Sequence, residues 1–334
     1  MRRITPVLAA LTLSAFVAIP AACDGQGQTL GGRAYPGPWK AEADGEQIPL
    51  WPVGTPLARP DTDDPESVWY GHKRIAGKPY QAVLDVTQPT MTIYRPRAHN
   101  SGAALMVFPG GGYAALAIDL EGTEICDWAT RNGMTCVLLK YRVPQNWHPV
   151  DSQGRRLTQR PPTPFLPLQD AQRAMGLLRQ RAERLGIDSA KIGVIGFSAG
   201  GHLVTAISNA GPRSYARVDA ADDLSARPDF AMPIYPGHLW SGEGGPRTDT
   251  VELFDFNPVR ADAPPTFILH AEDDPVDDVR NSISYFLALR ARKVPAEMHL
   301  YATGGHAFGL RPTAEPITHW TGLAEKWLHR IGML

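Results

Sequence analysis

The fold class follows most directly from one stretch, KIGVIGFSAGGHLVTAISN at residues 191–209. Its first part, residues 191–197, is a run of apolar residues and glycine that is typical of a buried strand, and the part after Ser198 is typical of a helix. A residue on so sharp a turn adopts an unfavourable backbone conformation, which requires small neighbours such as Gly196 and Gly200. The stretch therefore predicts a serine nucleophile on a strand–turn–helix elbow, and the alternative is a small polar residue in a glycine-rich loop.

Segments typical of strands and helices alternate on both sides of this elbow. Strands are predicted at 90–96, 103–108, 134–141, 229–235, 266–271 and 297–302, and helices at 121–131, 168–185, 276–291 and 315–330. The helix at 168–185 is marked by apolar residues at three- and four-residue steps. This alternation predicts an α/β fold with a mostly parallel central sheet and helices on both faces.

The N-terminus is predicted to be a secretory signal at residues 1–23. Arg2 and Arg3 precede an apolar run, and small residues then lead to Cys23. Two outcomes remain open, namely cleavage to a free exported form and lipid modification of Cys23. Either outcome places the protein outside the cytoplasm, in the periplasm or the extracellular space.

Composition and position in the chain lead to three further expectations. Residues 24–67 are rich in Gly and Pro and predict an arm or linker, so the catalytic domain is expected at 68–334. The interruption at 144–164 is either a loop that shapes binding or a surface excursion without a role. Cys126 and Cys136 are expected to be buried free thiols, although export would permit a disulfide.

The overall charge argues against two classes of partner. The chain has 334 residues, 33 of them basic and 34 acidic, for a formal charge of -1. The chain therefore lacks the excess of basic residues that would indicate binding to nucleic acid or to an anionic membrane. A possible lipid anchor at Cys23 would be its one link to a membrane. A small uncharged substrate fits this balance better.

A serine nucleophile needs a base, usually histidine, and a carboxylate that orients the base. In folds with this elbow the chain order is Ser, acid, His. The acid is expected in TFILHAEDDPVDD, where Asp274 is the first choice and Asp273 the reserve. The base is expected to be His306 in YATGGHAFGL, a glycine-flanked loop after the acids and the last strand, because His319 and His329 fall in the predicted terminal helix. The predicted catalytic set is Ser198, Asp274 and His306.

Acyl transfer also needs N–H donors for the oxyanion of the tetrahedral intermediate. One donor is expected from the backbone of Ala199. The others are expected from Gly111 and Gly112 in FPGGGY, where successive glycines leave the backbone N–H groups open. A phosphate-binding loop is the weaker alternative, because no Lys-Ser/Thr pair follows the glycines.

Taken together, these motifs resemble the α/β-hydrolase superfamily from about Val83 to Ile331. Within it, PGGGYAALAIDLEG, HAEDDPVDDVRNS and GGHAFGL resemble the secreted carbohydrate-esterase branch, with acetylxylan-esterase-like, feruloyl-esterase-like and hormone-sensitive-lipase-like members. The sequence departs from this pattern at Pro109, where lipase-like relatives have His, and at Asp277, where many hydrolases have Val. The resemblance implies no cofactor and no metal.

The expected function is removal of small acyl groups, most often acetyl, from plant-cell-wall polysaccharides or oligosaccharides. A feruloyl or aryl esterase is the alternative, with Trp147 or Trp240 stacking on the acyl group, and a general short-chain carboxylesterase is another. A prolyl-type peptidase is disfavoured because it normally has an additional large domain. A non-catalytic binding protein is disfavoured because no member of the predicted triad is missing.

Overall fold

The computed structural model describes residues 32–60, 62–72, 74–97, 99–144, 165–243, 250–254 and 258–334. The predicted signal with Cys23, the start of the predicted arm, and Trp147 with most of the 144–164 interruption lie outside these residues. Among the described residues, no helix is long and apolar enough to cross a membrane.

An eight-stranded sheet forms the centre of the molecule. Its strands, in chain order, are β2 (Glu46–Pro49), β5 (Thr90–Tyr94), β6 (Ala104–Phe108), β8 (Thr135–Lys140), β9 (Ile192–Phe197), β10 (Phe230–Ile234), β11 (Thr266–Ala271) and β12 (Ala296–Tyr301). Their order across the sheet is β12-β11-β10-β9-β6-β8-β5-β2. The neighbours from β12 to β8 are parallel, and β5 and β2 are antiparallel at one edge. The predicted α/β fold with a mostly parallel sheet is confirmed.

Within the part of the chain that the structure describes, five α-helices accompany this sheet. They are α1 (Glu124–Arg131), α2 (Phe165–Leu185), α3 (Ala199–Asn209), α4 (Arg280–Ala291) and α5 (Thr321–Arg330). The helix predicted at 121–131 is a π-helical turn, Asp119–Thr123, that continues into α1. The helix predicted from 276 begins only at Arg280, so the acidic loop after β11 is longer than expected. This longer loop matters because it carries the predicted catalytic acid.

A smaller antiparallel sheet lies beside the main one. It has the order β1-β3-β4-β7 and consists of β1 (Gly32–Pro36), β3 (Ser67–Gly71), β4 (Gln81–Leu84) and β7 (Ala115–Leu116). Strand β7 begins three residues after the end of the glycine loop 110–112. The N-terminal strands are thus hydrogen-bonded, through β4, to the segment in which the oxyanion donors were predicted.

The linker interpretation of residues 24–67 is wrong for the described part of this segment. Strand β2 pairs with β5, and Trp39, Leu50 and Trp51 are buried in the main core. The indole N–H of Trp51 donates a 2.8 Å hydrogen bond to Asp170 in α2. The many Gly and Pro residues of this segment belong to short irregular connections between its buried residues. The domain therefore begins well before Val68.

The expectation of free thiols is also corrected. Cys126 in α1 and Cys136 in β8 form a disulfide, with their Cα atoms 5.2 Å apart. The two cysteines are only ten positions apart in sequence, and α1 packs against β8, which brings their side chains into contact. Assignment to a helix and a strand alone could not show this contact.

Candidate active site

The elbow has the geometry that its sequence predicts. Ser198 follows β9 directly, precedes α3 and has a φ of 52°. A Cβ on Gly196 would collide with the carbonyl group of Gly200, and a Cβ on Gly200 would collide with the carbonyl group of Phe108. The two glycines are therefore required by close backbone packing, which fixes the serine at the end of the strand.

His306 and Asp274 form a hydrogen-bonded pair at the same edge of the sheet. Nδ1 of His306 donates to Oδ2 of Asp274 at 2.7 Å, and the side chain of Asp274 is fully enclosed. The other carboxylate oxygen of Asp274 accepts from the N–H groups of Val276 and Asp277. Because Nδ1 carries a proton, Nε2 of neutral His306 is left as an acceptor.

Asp273, the reserve candidate for the acid, has a different partner. Its Oδ1 accepts a 2.8 Å hydrogen bond from the backbone N–H of Gly305. The geometry therefore favours Asp274 as the group that orients the imidazole, and it gives Asp273 the task of holding the loop before His306.

The hydroxyl of Ser198 donates its hydrogen bond to Asp277, a residue to which sequence reasoning assigned no role. Oδ2 of Asp277 lies 3.1 Å from Ser198 Oγ and 3.8 Å from His306 Nε2. The carboxylate is packed against Gly237, since a Cβ there would collide with it. The signal that could have found this residue was present, because Asp277 stands where many hydrolases have Val.

The glycine loop that contains two of the predicted oxyanion donors contacts the serine. A Cβ on Gly110 would lie 3.0 Å from the Cβ of Ser198, so this loop is in close contact with the elbow. The N–H of Gly110 is occupied, because it donates to Glu121 Oε2 at 2.8 Å. Within the described ranges, the N–H groups of Gly111, Gly112 and Ala199 have no protein acceptor.

Glu121 is a second residue that the sequence analysis did not single out. It lies in the π-helical turn, is 2% exposed, and accepts from the hydroxyl of Tyr235 at 2.9 Å as well as from Gly110. The ring of Tyr235 packs against the ring of His306, with centroids 4.9 Å apart. Glu121 thus connects the glycine loop to the residue that supports the base.

Four buried groups determine the electrostatics of the site. Burial raises the pKa of Glu121 and the pKa of Asp277. Burial would also raise the pKa of Asp274, but hydrogen bonds from His270 and His306 hold it below its usual range. Burial would lower the pKa of His306, but the hydrogen bond to Asp274 and the charge of Asp277 raise it. The base therefore lies among acidic groups that favour its protonated form.

The tryptophan proposed to stack on an aromatic acyl group is already packed. Trp240 is 4% exposed, and its indole N–H donates to the carbonyl oxygen of Thr250. The guanidinium group of Arg280 lies 3.8 Å from the centre of its ring. In this structure Trp240 offers no open face, and the other proposed residue, Trp147, lies outside the described residues.

Two family models match the chain. The prolyl oligopeptidase family matches residues 168–331, and the family described as BD-FAE matches residues 91–214. Together they span the elbow, the acidic loop and the histidine loop.

Three relatives give the comparison more detail. The solved structure of an acetyl ester-xyloside bifunctional hydrolase from Caldicellulosiruptor lactoaceticus superposes with a TM-score of 0.65 at 30% identity, over 86% of this chain and 97% of that one. An acetylxylan esterase from Xylanibacter ruminicola is 30% identical over 63% of this chain, which spans only 42% of that esterase. An ethyl acetate hydrolase from Pseudomonas putida is 26% identical over 65% of this chain and 70% of its own length. With its sheet, its elbow and these relatives, the chain belongs to the α/β-hydrolase superfamily, in its esterase branch.

Proposed function

We propose that the protein is a serine esterase that removes small acyl groups, acetyl above all, from acylated carbohydrates. The observation that carries this proposal is the constellation of Ser198 on its elbow, the hydrogen-bonded pair His306–Asp274, and open N–H groups beside the serine. Similarity to an acetylxylan esterase and to an acetyl ester-xyloside hydrolase supports the choice of acyl group and substrate class.

In the proposed reaction, Oγ of Ser198 attacks the acyl carbonyl carbon while its proton passes to Nε2 of His306. The oxyanion of the tetrahedral intermediate accepts hydrogen bonds from Ala199 and from the glycines at 111 and 112. Nε2 of His306 then returns the proton to the departing alcohol oxygen. A water molecule, deprotonated by the same nitrogen, hydrolyses the acyl-serine and restores the enzyme. Asp274 keeps Nδ1 protonated and the imidazole oriented throughout.

The test uses p-nitrophenyl acetate and a panel of acetylated polysaccharides, with the purified protein and its Ser198→Ala variant. We expect release of p-nitrophenol and of acetate by the native protein and loss of both in the variant, by about 10³-fold or more. Equal rates for the two proteins would overturn the mechanism. Methyl ferulate in the same panel tests the aryl-esterase alternative, and a prolyl peptide substrate tests the peptidase alternative.

We also propose that the protein is exported. The basic and apolar residues of the N-terminus support this proposal, and so does the Cys126–Cys136 disulfide, because such bonds persist in oxidising compartments. Expression of the full chain in a bacterium, followed by fractionation and N-terminal analysis of the mature protein, tests it. A free mature protein indicates cleavage, acylation at Cys23 indicates a lipid anchor, and an intact N-terminus in the cytoplasm would contradict export.

A further inference from the structure

The carboxylate of Asp277 occupies the space between the serine and the base. Its Oδ2 is 3.1 Å from Ser198 Oγ and 3.8 Å from His306 Nε2, and its side chain is 6% exposed. The backbone of Asp277 is held on both sides, because its N–H donates to Asp274 and its carbonyl oxygen accepts from His270. The loop therefore fixes this carboxylate in the site.

Catalysis takes the serine proton away from this carboxylate. For attack, the hydroxyl of Ser198 must donate to Nε2 of His306, and Asp277 then loses its hydrogen-bond donor. A buried carboxylate without a donor costs considerably more free energy than one that is hydrogen-bonded. A substrate that supplies a new donor to Asp277 removes this cost, whereas a substrate without one does not.

The position of Asp277 indicates which half of the ester supplies that donor. The departing alcohol oxygen must come within hydrogen-bond reach of His306 Nε2 to receive its proton, and Oδ2 of Asp277 is 3.8 Å from that nitrogen. The carbon next to the ester oxygen therefore passes close to the carboxylate. A hydroxyl group on the next carbon of the alcohol half is therefore well placed to donate a hydrogen bond to Asp277.

We propose that Asp277 binds a free hydroxyl on the alcohol half of the ester, vicinal to the acylated oxygen, and that this hydrogen bond releases the hydroxyl of Ser198 to His306. The proposal rests on the proposed esterase function and narrows its substrate class to monoesters of vicinal diols, as in a partly acetylated sugar unit. Simple alkyl acetates lack this donor.

The test compares trans-2-hydroxycyclohexyl acetate with cyclohexyl acetate, which differ only in the vicinal hydroxyl. We expect the native protein to prefer the hydroxylated ester by about 10–100-fold in kcat/KM, the range for a hydrogen bond to a charged group. Asp277→Val should abolish the preference, mainly by accelerating cyclohexyl acetate, because no buried carboxylate is then left without a donor. Asp277→Asn keeps the shape of the side chain and an uncharged, weaker acceptor. Its preference for the hydroxylated ester should therefore lie between those of the native protein and Asp277→Val. Glu272→Gln removes one charge from an exposed position of the same loop and should change nothing.

The outcomes are distinguishable from failure of the esterase mechanism. No preference in the native protein, an unchanged preference in Asp277→Val, or an equal loss on both esters would overturn the role of Asp277. Thermal unfolding of each variant shows whether it is folded, and the isosteric Asn variant keeps the test valid if the Val variant is not. Full activity of Ser198→Ala on both esters would instead contradict the proposed function itself.

Discussion

The backbone N–H of Gly110 donates a 2.8 Å hydrogen bond to Oε2 of Glu121, and Oε1 of the same carboxylate accepts from Tyr235. Each carboxylate oxygen of Glu121 thus accepts from a donor. In Glu121→Gln one of these oxygens is replaced by an NH₂ group, which cannot accept, so one of the two hydrogen bonds is lost. We expect kcat/KM for p-nitrophenyl acetate to fall by about 10–100-fold, because the glycine loop shifts relative to Ser198. Glu183→Gln, on an exposed turn of α2, is the matched control, and native activity in Glu121→Gln would contradict the positioning role.

The two adjacent aspartates of the acidic loop should differ sharply. Asp274→Asn leaves Nδ1 of His306 without its carboxylate, and we expect kcat to fall by about 10³–10⁴-fold. Asp273→Asn weakens only the contact with Gly305, and we expect a loss below about 10-fold. Steady-state kinetics on p-nitrophenyl acetate decide between them, and the reverse ranking would move the orienting role to Asp273.

The pH dependence of the reaction follows from the groups around His306. Asp274 and Asp277 in the acidic loop and Glu121 in the π-helical turn act on the imidazole, and the net result is that the pKa of His306 is raised above its usual value. Since the base must be neutral, kcat/KM should fall as pH decreases through that raised pKa. Asp277→Asn removes a negative charge that favours the imidazolium, so the acid limb should move to lower pH. Profiles of kcat/KM against pH measure this shift. Glu272→Gln is the control. If the acid limb of Asp277→Asn lies at the same pH as that of the control, Asp277 does not act on the base.

The buried contact between Trp51 and Asp170 predicts a loss of stability rather than of activity. Trp51→Phe removes one donor to a carboxylate that Arg142 also binds, and we expect the free energy of unfolding to fall by about 1–3 kcal/mol. Urea denaturation measures the change. Val53→Ala, at a fully exposed position of the same segment, should be neutral. An unchanged midpoint in Trp51→Phe would mean that the hydrogen bond to Asp170 contributes little to stability.

Local sequence determined how much of this structure could be predicted. The elbow was accessible because strand, serine and helix are contiguous, and the carboxyl ends of parallel strands bring the acidic and histidine loops to one edge. The contact of Trp51 with Asp170 was not accessible, because it joins residues 119 positions apart without a local pattern. Asp277 was visible as a departure from a family pattern, but its approach to Ser198 depends on the loop path past Gly237, which propensity does not encode.

Strand β7 has a consequence for how the protein should lose activity on heating. It follows the glycines proposed as oxyanion donors, and among the described strands it pairs with β4 alone, which in turn pairs with β3 in the N-terminal part of the chain. Strands of the smaller sheet can separate while the eight-stranded sheet stays intact. We therefore expect inactivation at a temperature below that of global unfolding, and we expect cross-links between β3 and β4 to extend the working range of the enzyme without any change near the serine.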